Sequence, residues 1–128
     1  MSGNIENVDQ IKFTSEPINF DTFQKVLDIQ QAMQLKYYPK VEAMETPAQL
    51  LISTRALLHE VIEVEDELNW KHWKSDIPID YEKVENEIVD IFIFLMNLIN
   101  ASGMSGDELL ESTLEKIDIN IERQKSGY

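Results

Sequence analysis

The sequence predicts an all-α fold, a four-helix bundle, and three observations predict it. Apolar residues recur at intervals of three and four in four separate stretches, the period of a helix with one buried face. Start and stop signals bracket those stretches: Thr46-Pro47, Asp80 and Ser105 before three of them, Gly103 after one. No segment alternates apolar and polar residues as a half-buried strand does, and no internal repeat or low-complexity tract interrupts the pattern.

In chain order, residues 1–18 are polar, carry Pro17 near their end, and read as a loose arm; residues 19–128 read as one domain. The first helix is expected to start near Asn19 or Asp21, both good caps, and to stop before Pro39. Phe23, Val26, Leu27, Met33 and Tyr37 share its apolar face, and Gln30 and Gln34 fall in the same sector. A carboxamide offers both a donor and an acceptor, so these two could read a polar ligand edge, or could sit at the rim and bond to backbone or water. Residues 39–46 form a connection. The second helix is expected to begin with Thr46 as cap and Pro47 as first residue, and to run to about Lys74. Leu50, Leu57, Val61, Val64 and Leu68 give it one stripe; Leu51, Leu58 and Ile62 give a second, so burial on more than one side is expected. Trp70 and Trp73 at its end read as packing residues rather than base-stacking ones, and His59 and His72 as ordinary helix residues. Asp80 caps a third helix over 81–101 that Gly103 ends. Ser105 with Glu108 forms a capping box for a fourth, to about Gln124, whose buried stripe is Leu110, Leu114, Ile117 and Ile121.

Composition limits the function. A chain of 128 residues, 43% hydrophobic and 27% charged, suits one soluble domain with a modest core. A net charge of −13 argues against DNA or RNA polymers as partners, because phosphate contacts need a basic surface. There is no cysteine, so disulfides, thiolate zinc sites and a cysteine nucleophile are excluded. The amino terminus lacks a signal-peptide pattern, and the apolar run 88–96 is too short for a membrane span, so a cytoplasmic protein with no membrane partner is expected. No glycine-rich phosphate loop and no G-x-S-x-G occur.

Chemistry concentrates in 57–90. Glu60, Glu63 and Glu67 share one helical face, which Lys71 and Lys74 continue, and Glu87 and Asp90 share another. A solvated acidic surface accounts for the first set. Asp90, however, lies within Ile88–Met96, apolar on nearly every side, so a buried helix is expected there. A buried carboxylate is neutralised, paired or metal-bound. That run contains no lysine or arginine. Two acid pairs that face each other need a cation between them, and oxygen-only ligands favour Mg²⁺ or Mn²⁺. On the fourth helix Lys116, Asn120 and Arg123 align beside the apolar stripe, either as a solvated face or as a phosphate clamp.

The pattern Glu60-x-x-Glu63 followed by Glu87-x-x-Asp90 resembles the signature of the all-α nucleoside triphosphate pyrophosphohydrolases, which include MazG, the phosphoribosyl-ATP pyrophosphohydrolases and the dimeric dUTPases. Trp70-Lys71-His72-Trp73-Lys74 resembles the W-K-x-W-K segment of the dimeric dUTPase branch. The tail Lys116-x-x-x-Asn120-x-x-Arg123-Gln124-x-x-Gly127-Tyr128 resembles its carboxy-terminal motif. The resemblance covers residues 24–128. It implies a MazG-like bundle in which Glu60, Glu63, Glu87 and Asp90 hold Mg²⁺ and Glu60 is the base for the attacking water. It also implies that Lys116, Asn120 and Arg123, with Lys71, Lys74 and Tyr128 beside them, bind phosphate oxygens. Ile29-Gln30-x-x-Met33-Gln34 resembles the family's L-Q-x-x-L-N, whose amides contact uracil; Gln34 stands where asparagine is usual, and the chain has the compact size of MazG-type proteins.

The implied reaction is Mg²⁺-dependent cleavage of a deoxynucleoside triphosphate, dUTP first, to the monophosphate and pyrophosphate. A MazG-like house-cleaning or phage enzyme acting on dGTP or dATP, in the host cytoplasm if phage-encoded, stays open. So does a non-catalytic acidic helical module, and, ranked lower, action on phosphoribosyl-ATP. Three helices carry more apolar surface than one copy covers, and the resemblance likewise implies a homodimer or homotetramer.

Overall fold

A computed structural model describes residues 20–74 and 77–127. Five helices make up the described chain: α1 (Phe20–Tyr37), α2 (Pro39–Glu42), α3 (Thr46–Glu67), α4 (Tyr81–Ser102) and α5 (Gly106–Lys125). Four are long, as the periodicity predicts. The expected arm, 1–18, and the candidate cap Asn19 lie outside the described residues.

The connection expected over 39–46 holds the short α2, because Pro39 has its φ preset for a first helical turn. It is tied down by Gln31 Nε2, which donates to Glu42 Oε2 at 2.5 Å, and by Gln49 Nε2, which donates to the carbonyls of Glu42 and Met44. α3 begins one residue earlier than expected: Thr46 is already helical and Glu45 is the cap, without a side-chain capping bond. It also ends earlier, at Glu67 rather than Lys74. Asn69 takes a left-handed φ of 53°, and its amide donates to the Ile77 carbonyl, which reverses the chain. Lys71, His72 and Lys74 therefore lie beyond the helix and do not extend the acidic face.

The other caps follow the sequence. Asp80 accepts from the amides of Glu82 and Lys83, and Ser105 Oγ from that of Glu108 at 3.1 Å. Gly103, at φ 79°, ends α4. α5 then leaves at 104° to α4.

α3 and α4 form the main helix pair, and α1 lies across α4. The core is Leu27, wholly buried, with Met96 and Ile99, wrapped by Phe23, Val26, Ile93, Leu95 and Leu109. Two asparagines one turn apart on α4 fix α1 to it. Asn100 Nδ2 donates to the Leu27 carbonyl at 3.0 Å, and Asn97 Oδ1 accepts from Gln30 Nε2 at 2.9 Å. The first turn of α5 is pinned to α1 where the Gly106 amide donates to Gln24 Oε1 at 2.6 Å.

Three expectations of burial fail within one copy. Leu51, Leu58 and Ile62, the second stripe of α3, are exposed. On α4 Ile88, Val89 and Phe92 are exposed, so the run 88–96 is buried on one side only. On α5 Leu110 is half-buried, but Leu114, Ile117 and Ile121 are open, Leu114 at 60%. The reason is geometric: α5 rests on α1 near its start and then runs clear of the bundle. No single described helix is long and apolar enough to cross a membrane.

Candidate functional site

Helical spacing presents Glu60 and Glu63 together from α3, and pairing with α4 brings Glu87 to them. One carboxylate oxygen from each of Glu60, Glu63 and Glu87 lies within 4.8 Å of the others. No cation from the described chain pairs with this group in the structure. Glu87 Oε2 is sealed from solvent and has no hydrogen-bond partner among the described residues.

Electrostatics follow from that crowding. The Glu87 carboxyl is pushed above the usual carboxylate range, first by its contact with the Glu63 carboxyl, then by loss of solvent and by the charges of Glu63, Asp90 and Glu60. The Glu60 carboxyl is also raised, first by burial, then by the charge of Glu63, with Asp90 contributing and His59 opposing. Asp90, half-buried, is thus close enough to act on both, though it stands outside the three-carboxylate group and is not enclosed by apolar side chains as its sequence neighbours suggest. Glu67 is half-buried further along the same face.

A cavity of about 310 Å³ opens where α1 and α2 meet the same helix pair. Gln30 and Gln34 line it, as do Asn97 and Ser53; Met33, Ile93 and Phe94 give it apolar walls. Gln30 is 9% exposed, so it is no rim residue. Asn97 and Ser53 were not singled out from the sequence. The available signal was spacing: Ser53 lies seven residues before Glu60 and Asn97 seven after Asp90, which is two turns, so each shares a face with its acid. Because α3 and α4 pair antiparallel, both displacements point the same way. The cavity therefore sits about 10 Å along the groove from the acids, at 1.5 Å per residue.

The remaining candidates lie elsewhere. Lys71 and Lys74 line a small hollow of about 170 Å³ with Asp66, Asn69, Trp70 and Ile77. Trp70 and Trp73 meet edge to face at 5.8 Å but both stay exposed, so they pack on each other and not into the core. Lys116, Asn120 and Arg123 are exposed on the outer part of α5. Arg123 lines a shallow hollow with Asp118, Ile119, Glu122 and Ser126, all from its own helix and cap, so one copy does not bring this trio to the acids. Tyr128 lies outside the described residues.

Comparison with known proteins agrees with this arrangement. The family model described as dUTPase matches residues 22–105, a span that holds the acids, the cavity and the core. A dCTP pyrophosphatase of Enterobacteria phage T4 is 32% identical over 71 residues, covering 46% of this chain. The match spans 42% of that relative's length, well under two thirds. No solved structure matches the chain.

Proposed function

The chain belongs to the dUTPase family, and from that premise we propose that it is a divalent-cation-dependent deoxynucleoside triphosphate pyrophosphohydrolase, acting on dUTP. The observation that carries this reading is the sealed, unpartnered Glu87 Oε2 within a three-carboxylate cluster, two helical turns from an amide-lined cavity. Three acids this close repel one another, and a closed-off oxygen without a partner is costly. A hard cation relieves both, and an all-oxygen donor set suits Mg²⁺ or Mn²⁺. Glu60, Glu63 and Glu87 would hold it, with Asp90 beside them. Bound there, the ion supplies charge neutralisation of the triphosphate and a more acidic water.

The residues do the rest. The cavity takes the base, with the carboxamides of Gln30 and Gln34 at its edge. The two-turn offset then leaves the deoxyribose to span the groove and the phosphates to lie against the acids. Glu60, its pKa raised, accepts the proton of the attacking water. Water oxygen bonds to the α-phosphorus, the bond to the α–β bridging oxygen breaks, and pyrophosphate leaves with that electron pair. Lys116, Asn120 and Arg123 compensate the leaving charge when α5 of a second copy carries them across, since within one copy they stand apart. The uncovered apolar residues of α3, α4 and α5 support such an association, as a homodimer or homotetramer.

A second reading keeps the reaction and changes the base. The T4 relative is named a dCTP pyrophosphatase, which favours dCTP as substrate. A panel of deoxynucleoside and nucleoside triphosphates, scored for released pyrophosphate with Mg²⁺ and with EDTA, tests both. Pyrophosphate from dUTP or dCTP that vanishes with EDTA is the expected result. No turnover of any nucleotide would leave only an acidic helical module.

A further inference from the structure

Gln30 and Asn97 come from different helices, α1 and α4, yet share one hydrogen bond at the wall of the cavity: Gln30 Nε2 donates to Asn97 Oδ1 at 2.9 Å. Among the described residues neither side chain makes another hydrogen bond. Gln30 Oε1 and Asn97 Nδ2 are consequently available, and neither is a sealed, orphaned atom. The pair thus shows the cavity one acceptor and one donor side by side.

We propose that Gln30 and Asn97 form a single coupled reader of the base, and that this reader admits both uracil and cytosine deoxynucleotides, with Asn97 as a specificity-determining residue. A carboxamide is nearly symmetric in shape, with donor and acceptor exchanged by a half-turn. If one member of the pair turns alone, two donors or two acceptors meet and the bond is lost. If both turn, the bond survives with its direction reversed, now from Asn97 Nδ2 to Gln30 Oε1. The pair therefore has two states of like internal bonding, and they present opposite patterns.

Those patterns match the two pyrimidines. Uracil offers an N3–H donor beside an O4 acceptor, which Gln30 Oε1 and Asn97 Nδ2 complement. Cytosine offers an N3 acceptor beside an N4 amino donor, which Gln30 Nε2 and Asn97 Oδ1 complement after the joint turn. A site with fixed polarity rejects the mismatched base because a buried polar group is left unpaired. A site that can invert its polarity lacks that penalty. The argument rests on the proposed pyrophosphohydrolase reading only for the assignment of the cavity to the base.

Freezing either half tests it. Asn97→Asp can only accept the shared bond, so Gln30 donates to it and the base meets two acceptors. Gln30→Glu likewise takes the bond from Asn97 Nδ2 and turns Asn97 Oδ1 to the base, again two acceptors, whereas each pyrimidine offers one donor and one acceptor there. Steady-state kcat/KM for dUTP and dCTP, with dATP and dGTP as further arms, is measured for the wild type and both variants. The expected result is a wild-type dUTP to dCTP ratio within about 10-fold, and in each variant a loss of about 10- to 100-fold for both pyrimidines. Several outcomes would overturn the coupled reader while leaving the pyrophosphohydrolase reading intact. These are a wild-type preference beyond about 100-fold for either pyrimidine, variants that shift the dUTP to dCTP ratio in opposite directions as two independent readers would, and turnover of purines alone. No pyrophosphate from any nucleotide would instead remove the reading on which the proposal rests. The wild-type ratio needs no substitution, so it decides even where a variant fails to fold.

Discussion

Glu87 concentrates the tension of the site in one side chain: an oxygen with no partner among the described residues, beside two other carboxylates. Glu87→Gln removes a charge from that crowd while keeping its shape. The expected outcome is an apo protein as stable as the wild type or more so, with turnover reduced about 100-fold or more and little stabilisation by Mg²⁺. Thermal melts with and without the ion, beside a pyrophosphate assay, check it; wild-type activity in the variant contradicts the ligand assignment. The raised carboxyls of Glu60 and Glu87 also set a pH dependence. A carboxyl whose folded pKa lies above its unfolded one binds more protons when folded, so stability falls as pH rises from the unfolded value through the folded one. Without divalent ions the melting temperature should fall as pH rises past the ordinary carboxylate range and these two groups ionise, and Mg²⁺ should restore more of it at the higher pH. The acids were legible because two spaced pairs of like charge form a pattern. Asn97 was less so, because its only signal is a two-turn spacing from Asp90, which gains meaning once its partner on α1 is known.

At the scale of the helix, local signals were read well and long-range ones poorly. Asp80, Ser105 and Gly103 act within a turn of themselves, and each stands where its chemistry places it. α3 ends at Glu67, seven residues before the Lys74 that its pattern predicts, because the left-handed turn at Asn69 depends on a bond to Ile77 across the loop. Two substitutions probe how α1 holds its neighbours. Leu27→Ala empties a wholly buried core position and should cost about 2–5 kcal/mol in urea unfolding. Gly106→Ala places a methyl 3.0 Å from Gln24 Oε1 and 3.1 Å from the Phe23 ring, where no wild-type atom stands. It should cost about 1–3 kcal/mol by forcing α5 off α1, whereas Ser105→Ala, which removes only the cap, should cost about 1 kcal/mol. Equal, negligible losses at Gly106 and Ser105 would mean that the start of α5 is not docked as described.

For the whole molecule the apolar pattern was right and its destination was not. Periodicity shows which residues avoid water, but not which chain covers them. Leu58 at 59% exposed, Ile62, Ile88, Val89, Leu114 and Ile121 lie on three helices, too many for the single scattered apolar residues of an ordinary monomer surface. A net charge of −13 opposes association, so the apolar contact must outweigh that repulsion, and salt should strengthen the assembly by screening it. Light scattering of the full chain should give two or four times 14.9 kDa. Leu58→Glu should give single copies, since it sets a new charge into the proposed interface, and it should also abolish turnover if Lys116, Asn120 and Arg123 of α5 join the site from another copy. The two readouts separate the ideas. A monomeric Leu58→Glu protein that still cleaves its nucleotide keeps the interface but denies it a share in the site. A wild type that remains a single copy at about 10 µM, a concentration at which a micromolar complex is mostly formed, denies the interface itself.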